Sequence, residues 1–138
     1  MNKHDVDSDG LIADPLASYP AYVKAMELYD RVVDDTDLLI KDFRCREIIC
    51  QIIASAGSIR ACFEEGYGRG TTPEFIHRLR LSMGEARETR GWYRRSRKFL
   101  PAPLMAQRMR QVDEVIALLA STVKGLGRRR GGSSGFDL

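Results

Sequence analysis

The sequence predicts an all-α protein folded as an antiparallel, up-down-up-down four-helix bundle with disordered termini. Three observations favour this fold class. Apolar residues recur at intervals of three and four in four separate stretches, which is the spacing of one face of a helix. Short segments rich in glycine, proline or aspartate separate these stretches. No strand-like alternation of apolar and polar residues competes with this pattern.

The first predicted helix begins at Tyr19, and a turn is expected between residues 36 and 44, where aspartates interrupt the pattern. Residues 1–18 contain four aspartates among serine, glycine and proline, so they are expected to form a flexible acidic segment. One face of this helix is predicted from side chains at spacings of four, three and four, namely Tyr22, Met26, Tyr29 and Val33.

The second helix is predicted from about residue 45 to the glycine-rich segment Gly66-Tyr67-Gly68-Arg69-Gly70, where glycine supplies a left-handed C-cap. Its length favours a helix over a strand, although isoleucines are frequent in it. The apolar face consists of Cys45, Ile48, Ile49, Ile52, Ile53, Ala56, Ile59 and Phe63.

The third helix is predicted from Pro73 to Phe99. Thr71 and Glu74 have the spacing of a capping box, and a competing frame places Thr72 at the cap with Pro73 as the first helical residue. The prolines after Leu100 end this helix. The fourth helix completes the bundle of residues 19–126, and residues 127–138 are expected to be a disordered tail; its apolar face is Met105, Met109, Val112, Ile116, Leu119 and Val123.

Composition excludes several classes of protein. No run of 18 apolar residues exists, so a membrane span is not expected. The polar N-terminus has no apolar segment of the kind found in signal peptides, which predicts a cytoplasmic protein. Residues 1–42 carry 4 basic and 10 acidic side chains, whereas residues 43–138 carry 18 and 9. This split indicates an acidic segment and a basic surface, which favours partners rich in phosphate.

No pattern of catalytic or metal-binding residues is recognisable. A carboxylate di-metal centre needs two Glu-x-x-His pairs, and the chain has only the pair Glu74 and His77, the latter expected at the surface. The three cysteines match neither a zinc knuckle nor a disulfide framework. The glycine-rich segment lacks the spacing of a phosphate loop, so it is interpreted as a turn. The protein is therefore predicted to have no enzymatic activity, cofactor or small-molecule substrate.

Helix three carries the most informative pattern. Its core stripe is predicted around Leu79, and a continuous basic ridge runs beside that stripe. Gly84 and Gly91 lie next to the ridge, seven residues apart. Leu81 and Trp92 are predicted on the side opposite the core, which suggests a subunit contact that helix-one tyrosines could meet. The ridge consists of Arg80, Arg87, Arg94 and Lys98.

Two interpretations of the ridge remain open. It is a phosphate track for nucleic acid, because arginine forms bidentate contacts with phosphate, with the Arg128-Arg129-Arg130 tail adding non-specific attraction. RNA is favoured over DNA. Alternatively, the protein is an interaction scaffold whose basic face docks an acidic partner, or pairs with the aspartates of helix one.

The segment from Ser58 to Arg69 resembles a family pattern, Ser-Ile-Pro-x-Asn-Ile-Ala-Glu-Gly-Tyr-Gly-Arg. The match continues at Glu74 and Phe75, and at Leu79, Gly84 and Glu88. The family is that of the four-helix-bundle proteins encoded in intervening sequences of 23S rRNA genes, also called S23 ribosomal proteins. It is similar to the accessory variability proteins of diversity-generating retroelements. The matching residues of the motif are Ser58, Ile59, Glu65, Gly66, Tyr67, Gly68, Arg69, Glu74 and Phe75.

The resemblance implies an antiparallel four-helix bundle, a ring-like homopentamer and a role with nucleic acid that involves no catalysis. The chain departs from the family pattern at Arg60 and Cys62, where the family has proline and asparagine. It is also more basic in helix three, at Arg87 and Arg90.

Overall fold

Four long helices make up nearly all of the structure, which confirms the predicted all-α fold class. The computed structural model describes residues 14–68 and 70–134, with side chains as far as residue 129. No strand occurs among these residues. The helices are α1 (Pro20–Leu39), α2 (Arg46–Gly68), α3 (Thr72–Arg95) and α4 (Ala102–Ser134), and short 3-10 helices at Pro15–Ser18 and Phe43–Cys45 precede α1 and α2.

Contacts between α1 and α2 show that these two helices are antiparallel. The Tyr22 hydroxyl donates a hydrogen bond to Glu64 Oε2 at 3.0 Å. Further along α1, the ring of Tyr29 lies against Gly57. Higher residue numbers on α1 therefore contact lower residue numbers on α2.

The same test orders the other helices. Ser82 Oγ donates to the carbonyl of Ile59 and Thr89 Oγ1 donates to Ser55 Oγ, so α3 is antiparallel to α2. On the opposite side, Lys24 approaches Glu114 and Arg108 binds Asp35, so α4 is antiparallel to α1. These contacts give the up-down-up-down bundle, in which α1 and α3 run in the same direction.

The buried face of α1 agrees with the predicted one only in part, because Tyr22 is buried and Tyr29 packs against the core, whereas Met26 and Val33 do not. Met26 and Val33 are 38% and 41% exposed, because α2 and α4 pack against a neighbouring stripe that also has spacings of three and four. The small side chains of that stripe permit close packing, and its charged member is neutralised by α4. The stripe consists of Ala21, Tyr22, Ala25, Leu28, Val32, Asp35 and Leu39.

Three boundaries differ from the predicted ones. Leu16 of the N-terminal segment is buried beneath a turn capped by Asp14, while residues 1–13 lie outside the described residues. Helix α3 ends at Arg95, four residues before Phe99, in a turn whose hydrogen bonds converge on the Ser96 carbonyl. Helix α4 continues beyond Leu126 to Ser134, so the segment that was expected to be a disordered tail is helical as far as the structure describes it.

A buried ionic cluster joins three of the four helices. Arg108 Nε donates to Asp35 Oδ2 at 2.7 Å and its Nη2 donates to Oδ1 at 3.1 Å. The Tyr93 hydroxyl donates to the same carboxylate at 2.6 Å. All three side chains are buried, so each polar group depends on the others for its hydrogen bonds.

This cluster predicts a loss of stability at high pH. Burial and the hydrogen bond to Asp35 raise the pKa of Tyr93 well above its usual value of 10.0. The pKa of Tyr93 is higher in the folded state than in the unfolded state. The contribution of its neutral hydroxyl to the free energy of unfolding is therefore complete below pH 10 and declines as the pH rises further. Between pH 9 and pH 11, the free energy of unfolding should fall less for Tyr93→Phe than for the wild type. Chemical denaturation at the two pH values measures this difference, and an equal fall in both proteins would contradict the prediction.

Candidate nucleic-acid interface

The basic ridge lies on the outward face of α3. Arg80, Arg87, Arg94 and Lys98 are all exposed, whereas the side chains on the inner face of the helix are buried. At a rise of 1.5 Å per residue, successive arginines are about 10 Å apart, and the three of them span about 21 Å of α3. Lys98, which the sequence placed on the same helix, lies instead in the turn that follows Arg95. The helix therefore places three arginines in one row on the surface, and Lys98 lies beyond the end of that row.

The ridge cations have no acidic partner among the described residues. The aspartates of α1 that were considered as partners do not reach them, because Asp35 binds Arg108 and Asp34 binds Arg31. Ion pairs occur on the flanks of α3 instead, at Arg78–Glu65 and Arg90–Asp113. The pairing of the ridge with α1 is thus not formed within one chain, and its charge is available to an external partner.

Glycines alternate with the arginines of the ridge. A Cβ atom added to Gly84 would meet no atom within 4 Å. At Gly91 the atom nearest to an added Cβ is Arg95 Nη1, the end of a flexible side chain. The ridge therefore borders a shallow furrow in which the helix backbone is accessible.

Leu81 and Trp92 occupy different environments. Leu81 is 42% exposed, as expected for a side chain pointing away from the core. Trp92 is partly buried and packs against the core, so it does not lie on the side opposite the core as predicted. The Arg95 guanidinium lies 4.7 Å from the centre of the Trp92 ring, and the indole N–H donates to Glu88 at 3.4 Å.

The arginines near the end of α4 extend the basic surface. Arg128 and Arg129 are exposed, while the side chain of Arg130 lies outside the described residues. Leu126 lines an open cavity with Thr72 and Phe75, so this end of α4 lies beside the start of α3. The tail arginines are consequently nearer to Arg80 than to Lys98.

The family motif forms the turn between α2 and α3. Gly66 is buried, and a Cβ atom there would lie 2.5 Å from the Cβ of Arg78, so no other residue fits without movement of α3. Gly70 adopts a left-handed φ of 78°, which favours glycine. Thr71 Oγ1 then caps α3 by accepting from the Glu74 N–H at 3.4 Å, so the Thr71 frame is the correct one.

The other motif residues support this turn or lie close to it. Ile59 is buried and the Tyr67 ring stacks edge-on against Phe75, at 5.9 Å between ring centres. Glu65 binds Arg78 at 3.1 Å. Ser58 is partly buried and Gly68 is exposed, whereas Arg69 lies outside the described residues. The contacts described give the motif a structural role.

Sequence reasoning missed an exposed apolar row on a different helix, α1. Met26 and Val33 were assigned to the core because their spacing matches a buried face. Asp30 and Asp37 share their period of seven residues, and that shared period was the available signal for an amphipathic outer face.

The structure offers no centre for metal chemistry in the part that it describes, since no group of three or more potential ligands is found there. His77 is exposed, as predicted. Among the described residues no helix is long and apolar enough to span a membrane.

Comparison with known proteins identifies relatives of the bundle. Residues 18–121 match the family model of the 23S rRNA-intervening sequence protein. The chain is also similar to a crystal structure from Bacteroides thetaiotaomicron, described as a protein of unknown function from the S23 ribosomal protein family. The two share 24% identity and a TM-score of 0.70, over 75% of this chain and 98% of that one. No curated protein matches the chain.

Proposed function

The chain belongs to the family of 23S rRNA-intervening sequence proteins, and from this premise we propose that it is a non-enzymatic, oligomeric protein that binds nucleic acid, preferentially RNA. The ridge of α3 would contact phosphates, and Arg128 and Arg129 would add attraction at one end. The observation that carries the proposal is the ridge of four exposed cations without acidic partners among the described residues.

Physical chemistry favours a phosphate polymer as the partner of such a ridge. A cation exposed to solvent gains little from one isolated anion, but a polyanion that is neutralised at several points releases its counterions together. Arginine suits this role because its guanidinium group binds phosphate through two hydrogen bonds. The furrow at Gly84 and Gly91 permits a backbone to approach the helix closely.

We further propose that the protein is a cytoplasmic homo-oligomer of five subunits, the number that the sequence resemblance implies. The supporting observation is the exposure of large apolar side chains on the outside of the bundle, including Met26, Val33 and Leu81. Exposed apolar surface of this kind is typical of a protein interface. Light scattering of the purified protein would give the number of subunits.

RNA affinity should depend strongly on salt. With four phosphate contacts to a single strand, a fourfold rise in salt concentration should weaken binding by about 50-fold. Fluorescence anisotropy with a labelled RNA of mixed sequence measures this dependence. Removing the two ends of the ridge, with Arg80→Gln and Lys98→Gln, should reduce the slope of log affinity against log salt by about 1.4 for each subunit that the RNA contacts.

A matched control removes two exposed cations that lie outside the ridge, Arg46→Gln and Arg110→Gln, and should leave that slope closer to the wild-type value. The absence of RNA binding by the wild-type oligomer at low salt would refute the proposal. Equal effects of the two double substitutions would show that only net charge matters and that the ridge is no specific track.

A second candidate function is an interaction scaffold whose basic face docks an acidic protein. The exposed Leu81 favours it, because this apolar side chain lies on the solvent side of α3 and offers nothing to phosphate. Material captured from host cells on the purified protein separates the two functions. Nuclease treatment should release most of this material if nucleic acid is the partner.

A further inference from the structure

The outer face of α1 carries two parallel rows that have no partner within the described chain. Met26, Val33 and Ile40 form an exposed apolar row, and Ile40 is 71% exposed. Asp30 and Asp37 form an acidic row beside it, and both are exposed without an ion pair among the described residues. Both rows repeat every seven residues, which is the period of helices that pack lengthwise.

The outer face of α3 has two rows with the same period. Gly84 and Gly91 are seven residues apart, as are Arg87 and Arg94. No atom of the described residues lies within 4 Å of a Cβ added at Gly84. Packing among these residues therefore gives no reason for a glycine there, although glycine destabilises the interior of a helix. A close approach from outside the chain supplies that reason.

Contacts inside the bundle fix the levels of the two helices relative to each other. The rings of Tyr19 and Phe75 are 5.7 Å apart near the start of both helices. Asp35 and Tyr93 are hydrogen-bonded near the end of both helices. The numbers differ by 56 in the first pair and by 58 in the second, so a residue of α1 lies level with the α3 residue about 57 positions later.

This register aligns the four rows. Met26 and Val33 lie 58 positions before Gly84 and Gly91, so each falls within about one residue, or about 1.5 Å, of the level of a glycine. No described atom lies above Gly84, whereas at Gly91 the flexible end of the Arg95 side chain has to move aside. The acids fall in register as well, because 57 positions separate Asp30 from Arg87 and Asp37 from Arg94. A second copy related by rotation about an axis parallel to the helices keeps all of these levels.

We infer that the outer face of α1 in one copy packs along the outer face of α3 in the next copy. Met26 and Val33 then fill the glycine furrow of the neighbour, and Asp30 and Asp37 pair with its Arg87 and Arg94. At 100° per residue, the acids of α1 lie at larger helical angles than its apolar row, and the arginines of α3 lie at smaller angles than its glycine row. When two parallel helices face each other, increasing angle runs in opposite directions across the contact. The acids and the arginines therefore lie on the same side of that contact.

A second copy of this chain is the occupant that the charges favour. Phosphate would be repelled by the acidic row of α1, whereas a copy of the same chain brings both charge signs in register. The contact joins two different faces, so successive copies close into a ring or extend as a filament. The inference rests on the proposed homo-oligomer and names its contact. In the assembly Arg87 and Arg94 are neutralised, so each subunit offers Arg80 and Lys98 to phosphate, and four phosphate contacts draw on two subunits.

Charge reversal and its rescue test the contact. Asp30→Arg with Asp37→Arg should raise the protein concentration at half-assembly by about tenfold or more, as should Arg87→Asp with Arg94→Asp. Combining all four substitutions in one chain restores complementarity and should recover assembly to within about threefold of the wild type. Sedimentation velocity over a range of concentrations measures each value, and circular dichroism verifies the fold.

A matched control reverses two other acids of α1, Glu27→Arg and Asp34→Arg, which are also seven residues apart but lie on the flank towards α4. This variant should assemble like the wild type. Gly84→Leu should fold, because the space above it is empty, and should remain dissociated because the furrow is filled.

Three results would overturn the inference. The wild-type protein is monomeric at high micromolar concentration, or the variants with two reversed charges assemble normally, or the chain with all four substitutions assembles no more readily than either double variant. RNA binding is a separate readout. The variant with Arg80→Gln and Lys98→Gln should keep the wild-type mass, so a failure of the proposed function leaves this test intact.

Discussion

Replacing Arg108 with methionine is expected to lower the free energy of unfolding by about 3–5 kcal/mol. The substitution keeps most of the side-chain volume but leaves the Asp35 carboxylate buried, with the Tyr93 hydroxyl as its remaining partner in the cluster. A buried charge without a counter-charge is far more costly than the pair. Urea denaturation at a fixed protein concentration measures the loss.

A triple substitution separates the cost of an unpaired charge from the value of the cluster. Asp35→Leu, Tyr93→Phe and Arg108→Met together remove every polar group of the site, and apolar replacement of a buried ion pair is often neutral or stabilising. The triple variant should therefore be more stable than the single Arg108→Met variant. If Arg108→Met lowers the free energy of unfolding by less than about 1 kcal/mol, then water or a rearrangement of nearby side chains supplies the hydrogen bonds of the Asp35 carboxylate.

The same cluster explains why the sequence predicted the helices but only part of the buried face of α1. The turn at Gly70 carries local signals that the sequence shows, and the structure decides between the two cap frames of α3 that the sequence left open, in favour of Thr71. The choice between two faces of α1 depends on contacts with α2 and α4. Asp35 looked like a surface residue because its partner, Arg108, lies 73 positions away.

The candidate site shows the same division. The exposure of the ridge could be predicted once Leu79 was placed in the core stripe, because the angle about the helix axis between any two residues of one helix is fixed. Trp92 was placed too far from the core, because the angle of its Cα on the helix does not show how far its large ring reaches towards the packed side chains. The level of α1 relative to α3 could not be read from the sequence, because the contacts that define it, such as Tyr19 with Phe75, join distant segments.

The charge asymmetry of the sequence acquires a physical meaning in this bundle. Acids concentrate on the outside of α1 and cations on the outside of α3, yet the two faces do not meet within one chain. A single chain therefore presents two surfaces of opposite sign. Assembly through these faces would neutralise the inner cations, and the remaining positive charge would decide whether RNA is held at physiological salt.

Phe63→Ala is expected to lower the free energy of unfolding by about 3–5 kcal/mol, because a large aromatic side chain leaves a cavity in a packed core. Phe63 is fully buried near the turn between α2 and α3. Its ring lies 5.3–5.4 Å from the ring centres of Tyr19, Tyr22 and Phe75. These contacts join the start of α1 to the paired ends of α2 and α3.

Phe63→Leu is the matched control, and it should lose less than half as much stability because most of the apolar volume remains. The two variants also test whether the ridge depends on the core. At a temperature where both are folded, they should bind RNA with the wild-type salt dependence, since the ring contacts of Phe63 do not involve the ridge. Equal losses of stability for the two variants would show that the ring contacts, rather than the buried volume, hold this end of the bundle together.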